Sequence, residues 1–273
     1  MSDFEIRPFF LEGEEGRLFT LLYMPPKPQQ AVVFVPPFAE EMNKCRQQVS
    51  RTAQALVKND CAVLIVDLFG TGDSQGDFSG ATWNLWKADL ETAMRWADLN
   101  LPDSQSIVAT RLGCILAAEA LVAAKREVTR TVFWHPVVSG SQFMTQFLRL
   151  QVAASMMEAG GQVTVDELRG QLSKGANLEV AGYELTPGLY QSVEQADLLA
   201  AIDPALGELS VVEVGRVRKD GLSPAAKKIV GAADRRGVRV SCRRVPGDPI
   251  WAATEIVTNS QLQASTLEHL GIG

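Results

Sequence analysis

The chain has 273 residues with 26 basic and 32 acidic side chains, and the resulting net charge of −6 argues against general nucleic-acid binding. Its 46% hydrophobic content is enough for a sizeable core and excludes wholesale disorder; the length suits one large α/β domain, or a core with an inserted cap. No apolar run approaches the roughly 20 residues of a membrane span, and the acidic start Met1–Glu5 is unlike a secretory signal. Four dispersed cysteines (Cys45, Cys61, Cys114, Cys242) without a C-x-x-C pair read as buried thiols of a reducing compartment, so a cytoplasmic protein is expected.

Two strand-like runs, Ile6–Leu11 and Arg17–Tyr23, flank a Gly-containing link and predict a hairpin. Ala31–Val35 is a continuous apolar run of the kind seen in a fully buried strand, followed by a helix over Asn43–Lys58 and a second buried strand, Cys61–Val66. Trp83, Trp86, Leu90, Ala93 and Ala97 recur at helical spacing behind Thr82 as N-cap. Strands Ser106–Ala109 and Thr131–Trp134 enclose an alanine-rich helix, Leu112–Ala124. This alternation predicts a mostly parallel sheet flanked by helices.

After Val138 about seventy residues pass before the next buried strand, Leu209–Val214, where a crossover needs only a dozen or so. The excess, residues 139–207, is read as a helical cap inserted between the sixth and seventh core strands. It holds helices Gln142–Met157 and Val165–Ser173 and an irregular piece around Tyr183–Tyr190. Residues 1–138 and 208–273 form the core, which closes with helix Pro224–Arg235, strand Val238–Val245 and a helix near Gln261–Leu270. The basic cluster Arg235–Arg244 reads as a solvated face.

Two motifs name the fold class. Ala109-Thr110-Arg111-Leu112-Gly113 turns a short strand sharply into a helix, with small residues where strand and helix must approach. That is the context of the Gly-x-Ser-x-Gly nucleophile elbow of α/β-hydrolases. Asp67–Gly76, of form D-x-x-G-x-G-x-S-x-G, follows a buried strand as it does in that fold; Gln75 breaks a dinucleotide fingerprint. The expected fold is therefore the α/β-hydrolase fold.

The chemistry departs from it. The elbow apex is Arg111, and a guanidinium has no lone pair to attack a carbonyl. In the loop that donates an oxyanion N–H, Pro36 and Pro37 carry none, leaving Phe38 or Ala39 as donors. Glu40 and Glu41 stand where one could pair with Arg111, or both could favour the N-terminus of the following helix. The acid position after Leu209–Val214 offers only Glu213 and Asp220, and the loop Pro246–Trp251 has no His. Of two histidines, His269 lies in the last helix and is expected to be exposed. His135 follows Thr131–Trp134 at the sheet edge of Arg111, as a structural hydrogen bonder or a cleft residue. Ser223, in a Gly-x-Ser-x-Ala string, reads as an N-cap ahead of Pro224, and Cys45 beside Lys44 and Arg46 is a weak nucleophile candidate.

Asp67–Gly76, Glu40-Glu41-Met42-Asn43-Lys44, the Arg-apex elbow, Trp134–Gly140 and Gln142-Phe143 through Gln146-Phe147-Leu148-Arg149 together resemble one group. It is the second of two α/β-hydrolase-like families associated with exosortase A systems in bacteria. The resemblance spans most of the chain and is weakest between Gly160 and Leu206. It implies a setting of exopolysaccharide production and protein sorting at the bacterial envelope. The label hydrolase carried by that family has no Ser-His-Asp set behind it here.

The site is thus expected around Arg111, Glu40, Glu41, Asn43, Lys44, Thr110 and Leu112, with Phe38 and Ala39 as oxyanion-loop residues and no cofactor or metal. The leading expectation is a catalytically silent fold that binds a small anionic or acyl-type ligand through Arg111 at a helix N-terminus. The alternative is an active hydrolase, an esterase or acyl-transfer enzyme, with a non-serine mechanism using His135, Glu40, Glu41 or Asp248 as general base. A third reading is an interaction protein docking a partner of an exosortase-linked pathway; neither nucleic-acid binding nor membrane insertion is expected.

Overall fold

A computed structural model describes residues 4–157, 163–216 and 221–272. Residues Met1–Asp3 of the acidic start, and Asp220, weighed above as an acid, lie outside the described residues. Antiparallel strands β1 (Glu5–Glu12) and β2 (Arg17–Met24) open the fold. Then come β3 (Gln30–Val35), α1 (Glu40–Val57), β4 (Cys61–Val66), α2 (Trp83–Asn100), β5 (Gln105–Thr110), α3 (Gly113–Ala124) and β6 (Arg130–Trp134). After β6 the chain forms α4 (Gly140–Met157), α5 (Val165–Ser173), a small hairpin of β7 (Leu178–Val180) and β8 (Tyr183–Leu185), α6 (Pro187–Gln195) and α7 (Leu198–Ala201). It returns to the sheet with β9 (Glu208–Val214), α8 (Pro224–Arg235), β10 (Val240–Val245) and α9 (Ser260–His269).

The eight-stranded sheet has the order β1-β2-β4-β3-β5-β6-β9-β10 and is parallel from β4 onward. Strand pleating sends alternate residues to opposite faces. Val33, Val35, Ile107, Ala109 and Phe133 therefore meet α2 and α3, while Val32, Phe34, Val108, Val132 and Trp134 meet α1 and α9. Both faces are covered, which is why the central strands read as unbroken apolar runs.

Several expectations shift. The helix expected from Asn43 starts at Glu40, so both glutamates sit in its first turn. The piece expected to be irregular is β8 and then α6, whose N-cap Thr186 precedes Pro187 at the first helical position. The stretch between β6 and β9 is consequently not wholly helical. Thr82 caps α2 by accepting from Leu85 N at 3.1 Å, and Ser223 caps α8 by accepting from Ala226 N at 3.0 Å. The basic cluster is not all solvated: Arg243 pairs with Glu268, and the mostly buried Arg244 reaches Glu213 at 3.3 Å. His269 is half-buried, because α9 packs its ring toward Ser241 of β10.

Candidate functional site

The elbow keeps its backbone geometry without its nucleophile. Arg111 has φ 56°, a left-handed conformation that non-glycine residues rarely adopt. Its N–H donates to Trp134 O at 3.0 Å, and its carbonyl accepts from Val137 N and Cys114 N. Gly113 is required: a Cβ there would sit 2.3 Å from the Pro36 carbonyl oxygen. Ala39 (φ 49°) and His135 (φ 45°) share the left-handed backbone at the same sheet edge. Strain of this kind tends to gather at functional positions.

Arg111 Nε donates to Glu41 Oε1 at 3.1 Å, and both side chains are nearly buried. Of the two glutamates, only Glu41 makes an ion pair with Arg111. Burial pushes the Glu41 carboxyl up to about 7, against the lowering pull of Arg111. Burial likewise raises Glu40 above the usual carboxylate range, opposed by its own backbone N–H, Lys44 and Arg111. The Oε2 atoms of Glu40 and Glu41 and the Oγ1 of Thr110 are buried without a hydrogen-bond partner. Such atoms are few in native folds and call for an explanation.

Aromatic rings enclose the guanidinium. Its Cζ lies 4.8 Å from the Trp251 ring centre and 6.0 Å from that of Phe143. Trp251 belongs to the loop after β10, where a catalytic His was sought and not found. The sequence reading missed both rings as partners of Arg111; the one available signal was a tryptophan in that loop. The two terminal nitrogens of Arg111 have no hydrogen-bond partner among the described residues. Nor do the N–H groups of Phe38, Ala39, Leu112 and Gly113.

Phe38 anchors an aromatic cluster instead of lining an open cleft. Its ring makes edge contacts with Phe78, Trp86, Phe143 and Phe147 at centroid distances of 5.1–5.7 Å. The crevice between Phe38, Ala39, Leu112 and Trp86 has only about 20 Å³ of room, on the scale of one water molecule. Asn43 donates from Nδ2 to the Tyr183 hydroxyl at 3.3 Å and so ties α1 to β8. Lys44 is half-buried near Glu40 and Glu41.

His135 is held as a hydrogen-bond acceptor. Val214 N donates to its Nδ1 at 3.2 Å, and its ring lies 4.3 Å from Trp251. Burial first, then Arg111 and Arg244, lowers it to about 4. It is therefore neutral at pH 7 with its proton on Nε2, and the lone pair a base would use is taken. Asp248 is exposed and has no hydrogen-bond partner among the described residues. Glu213, at the end of β9, is buried between Ser223 Oγ at 2.5 Å and Arg244. The thiols of Cys45 and Cys114 are pushed well above their ordinary range by burial, which makes them poor nucleophiles.

No family model matches the chain, and no curated protein matches it in sequence. Solved structures do match over nearly the whole length. The ferulic-acid complex of Est1E from Butyrivibrio proteoclasticus is 13% identical with a TM-score of 0.67, covering 96% of this chain and 99% of that one. The fold is the α/β-hydrolase fold. The α/β hydrolase GrgF from Penicillium sp. is 14% identical (TM-score 0.64; 97% and 98% covered). Mouse alpha/beta hydrolase domain-containing protein 10 is 17% identical (TM-score 0.61; 96% and 97% covered). At such identities the likeness is one of architecture, and function has to be argued from the site. Among the described residues no helix is long and apolar enough to cross a membrane, and no three His, Cys, Asp or Glu side chains group as metal ligands.

Proposed function

We propose that this α/β-hydrolase-fold protein is silent as a serine hydrolase and uses its elbow to bind a small anionic group, a carboxylate or phosphate, on a ligand or partner. The observation that carries this reading is Arg111 in the nucleophile's place, held by one nitrogen to Glu41 and free at the other two. Around it the N–H groups of Phe38, Ala39, Leu112 and Gly113 lack acceptors, and the start of α3 adds the positive end of a helix dipole. A guanidinium in that setting suits planar oxyanions.

Glu41 is the built-in competitor. Ionised, it neutralises Arg111; protonated, it releases the cation and can donate to the incoming anion. With Glu41 raised to about 7, binding is favoured on the acidic side of neutrality. Trp251, Phe143 and the Phe38 cluster restrict entry to a small group or require the loop after β10 to move. We further propose that residues 139–207 act as the cap over this site. The string similarities noted above support, as part of this proposal, a ligand or partner in an exosortase-linked setting of exopolysaccharide production or protein sorting.

The test is calorimetric titration with acetate and with phosphate at pH 6 and pH 8, on wild type and Arg111→Gln. Tighter binding at pH 6 that disappears in Arg111→Gln is expected. Equal binding by the two proteins, or none by wild type, contradicts the reading. Of the general bases weighed for an active enzyme with a non-serine mechanism, His135 is occupied at Nδ1 and Asp248 faces solvent, which leaves Glu41, engaged by Arg111, and Glu40.

A further inference from the structure

A second cavity adjoins the elbow crevice at Pro36 and Pro37 and runs between α1 and the outer half of the sheet. It measures about 190 Å³ and is partly enclosed. One wall is a single stripe of α1, where Met42, Cys45, Arg46, Val49 and Ser50 recur at helical spacing. The opposite wall is the matching face of the sheet: Phe19, Leu21 and Tyr23 from β2, Phe34 from β3 and Ile65 from β4. Met42, Cys45 and Phe34 are buried at its inner end, while Phe19, Leu21, Val49 and Arg46 are partly exposed at its rim. Domains normally fill such space, because an empty apolar void is destabilising. A cavity of this size kept open between two well-ordered elements invites an occupant.

The walls say what that occupant is. They are mostly apolar, and an engineered apolar cavity of about 150 Å³ holds benzene, so this one takes roughly six to eight carbons. Its charged lining residues are Arg46, at the rim, and Asp67. One edge of that guanidinium is anchored, Nη2 to Asp67 Oδ2 at 2.7 Å, and the same oxygen accepts from Asp73 N at 3.0 Å. The Asp67 side chain is almost fully buried, whereas that of Arg46 is 40% exposed. Arg46 Nε and Nη1 have no partner among the described residues. Asp67 thus fixes the guanidinium in place and leaves its outer edge for a second carboxylate. The remaining polar rim groups, the Tyr23 and Ser50 hydroxyls, are paired with each other at 3.0 Å.

We infer that this cavity binds a medium-chain carboxylic acid, with its alkyl chain between α1 and β2 and its carboxylate on Arg46. The site shares the backbone turn Pro36-Pro37 with the elbow crevice, but neither Arg111 nor Glu41 lines it, so it does not depend on the function proposed there.

Calorimetric titration of the full chain with octanoate tests this, with 1-octanol as the neutral probe and acetate as the probe of the head group alone. The proteins are wild type, Val49→Trp and Leu21→Trp to fill the cavity, Arg46→Gln, and Arg111→Gln. Circular dichroism and Tm check that each variant folds. Octanoate is expected to bind one to one, and filling the cavity to weaken it by about tenfold or more. Arg46→Gln should cost octanoate about tenfold and leave 1-octanol nearly unchanged, as expected for loss of a charge-assisted hydrogen bond. Arg111→Gln should change neither, although it abolishes acetate binding at the elbow. No octanoate binding by wild type overturns the inference, as does binding indifferent to both Val49→Trp and Leu21→Trp. Loss confined to Arg111→Gln also overturns it, by moving the ligand to the elbow. Equal losses of octanoate and 1-octanol in Arg46→Gln overturn the assignment of the carboxylate to Arg46.

Discussion

Two loops at the same sheet edge, after β4 and after β5, treat their buried polar atoms differently. In the turn after β4, Asp67 Oδ2 accepts from Arg46 and Asp73 N, and Ser74 Oγ donates to Asp67 O and accepts from Phe19 N. Thr71 Oγ1 donates to Leu68 O, and no unpartnered buried side-chain atom lies in that turn. Two strands away, the elbow keeps its backbone bonds but leaves Glu40, Glu41 and Thr110 each with an unpartnered buried oxygen. The turn is satisfied, as a structural element should be. The elbow is under-satisfied, as a place awaiting a ligand would be. The fold has kept its frame in both and given up the nucleophile in one.

The frame is the costliest part to disturb. Gly113→Val would drive a side chain into the Pro36 carbonyl, and a loss of about 4 kcal/mol or more, or failure to fold, is expected in urea denaturation. Gly72→Val should be comparably severe in the satisfied turn, because a Cβ there meets Asp67 Oδ2 at 2.0 Å. If Gly72→Val is tolerated and Gly113→Val is not, the parity of the two frames fails.

Arg111→Met separates the loops more sharply. It strands Glu41 in a buried site, and breaking a buried pair usually costs about 3–5 kcal/mol. Glu41 can escape by protonating, so a loss of about 2 kcal/mol is expected at pH 8 and clearly less at pH 5. A loss that does not vary with pH would mean that Glu41 is not the partner that matters.

Wild-type stability should itself bend with pH. A Glu41 pKa raised to about 7 makes the folded chain hold a proton that the unfolded chain has released above about 4.5. That contribution is complete below about 4.5 and is lost as pH rises through 7, by at most about 3 kcal/mol. His135, lowered from 6.5 to about 4, acts in the opposite sense: its contribution is present above 6.5 and lost as pH falls through 4. The two slopes oppose each other between about 4.5 and 6.5. Urea denaturation of Glu41→Gln should flatten the decline toward pH 7, leaving the same-sign declines of Glu40 and of Asp89, raised to about 6 by burial, against the His135 slope.

The smallest effect concerns the ring over the cation. Trp251→Leu keeps an apolar cover but removes the π face, and a loss of about 1 kcal/mol is expected in urea denaturation. No loss would make Trp251 mere packing against His135.

The frame was legible in the sequence because it is local. Ala31–Val35 and Cys61–Val66 announce buried strands by continuous apolar runs, and Thr82 and Ser223 announce helix starts by their hydroxyls. The elbow could be placed because small residues are demanded at Ala109 and Gly113 whatever stands between them. The site was legible only in part. Glu40 and Glu41 are consecutive and alike, and only the turn of α1 decides that Glu41 faces Arg111. Trp251 and Phe143 lie far from Arg111 in sequence, and no periodicity links them to it. The hairpin Leu178–Leu185 was hidden because three-residue strands are too short to show alternation. The cavity beside Arg46 was invisible, since a void between two apolar stripes has the same pattern as a filled core.

The most direct measurement is turnover of a panel of short and medium p-nitrophenyl acyl esters by wild type, Arg111→Ser and His135→Ala, each shown to be folded. The account predicts no turnover above background by wild type or by His135→Ala. Turnover by wild type that is lost in His135→Ala would contradict it and establish an enzyme with a non-serine mechanism at this elbow.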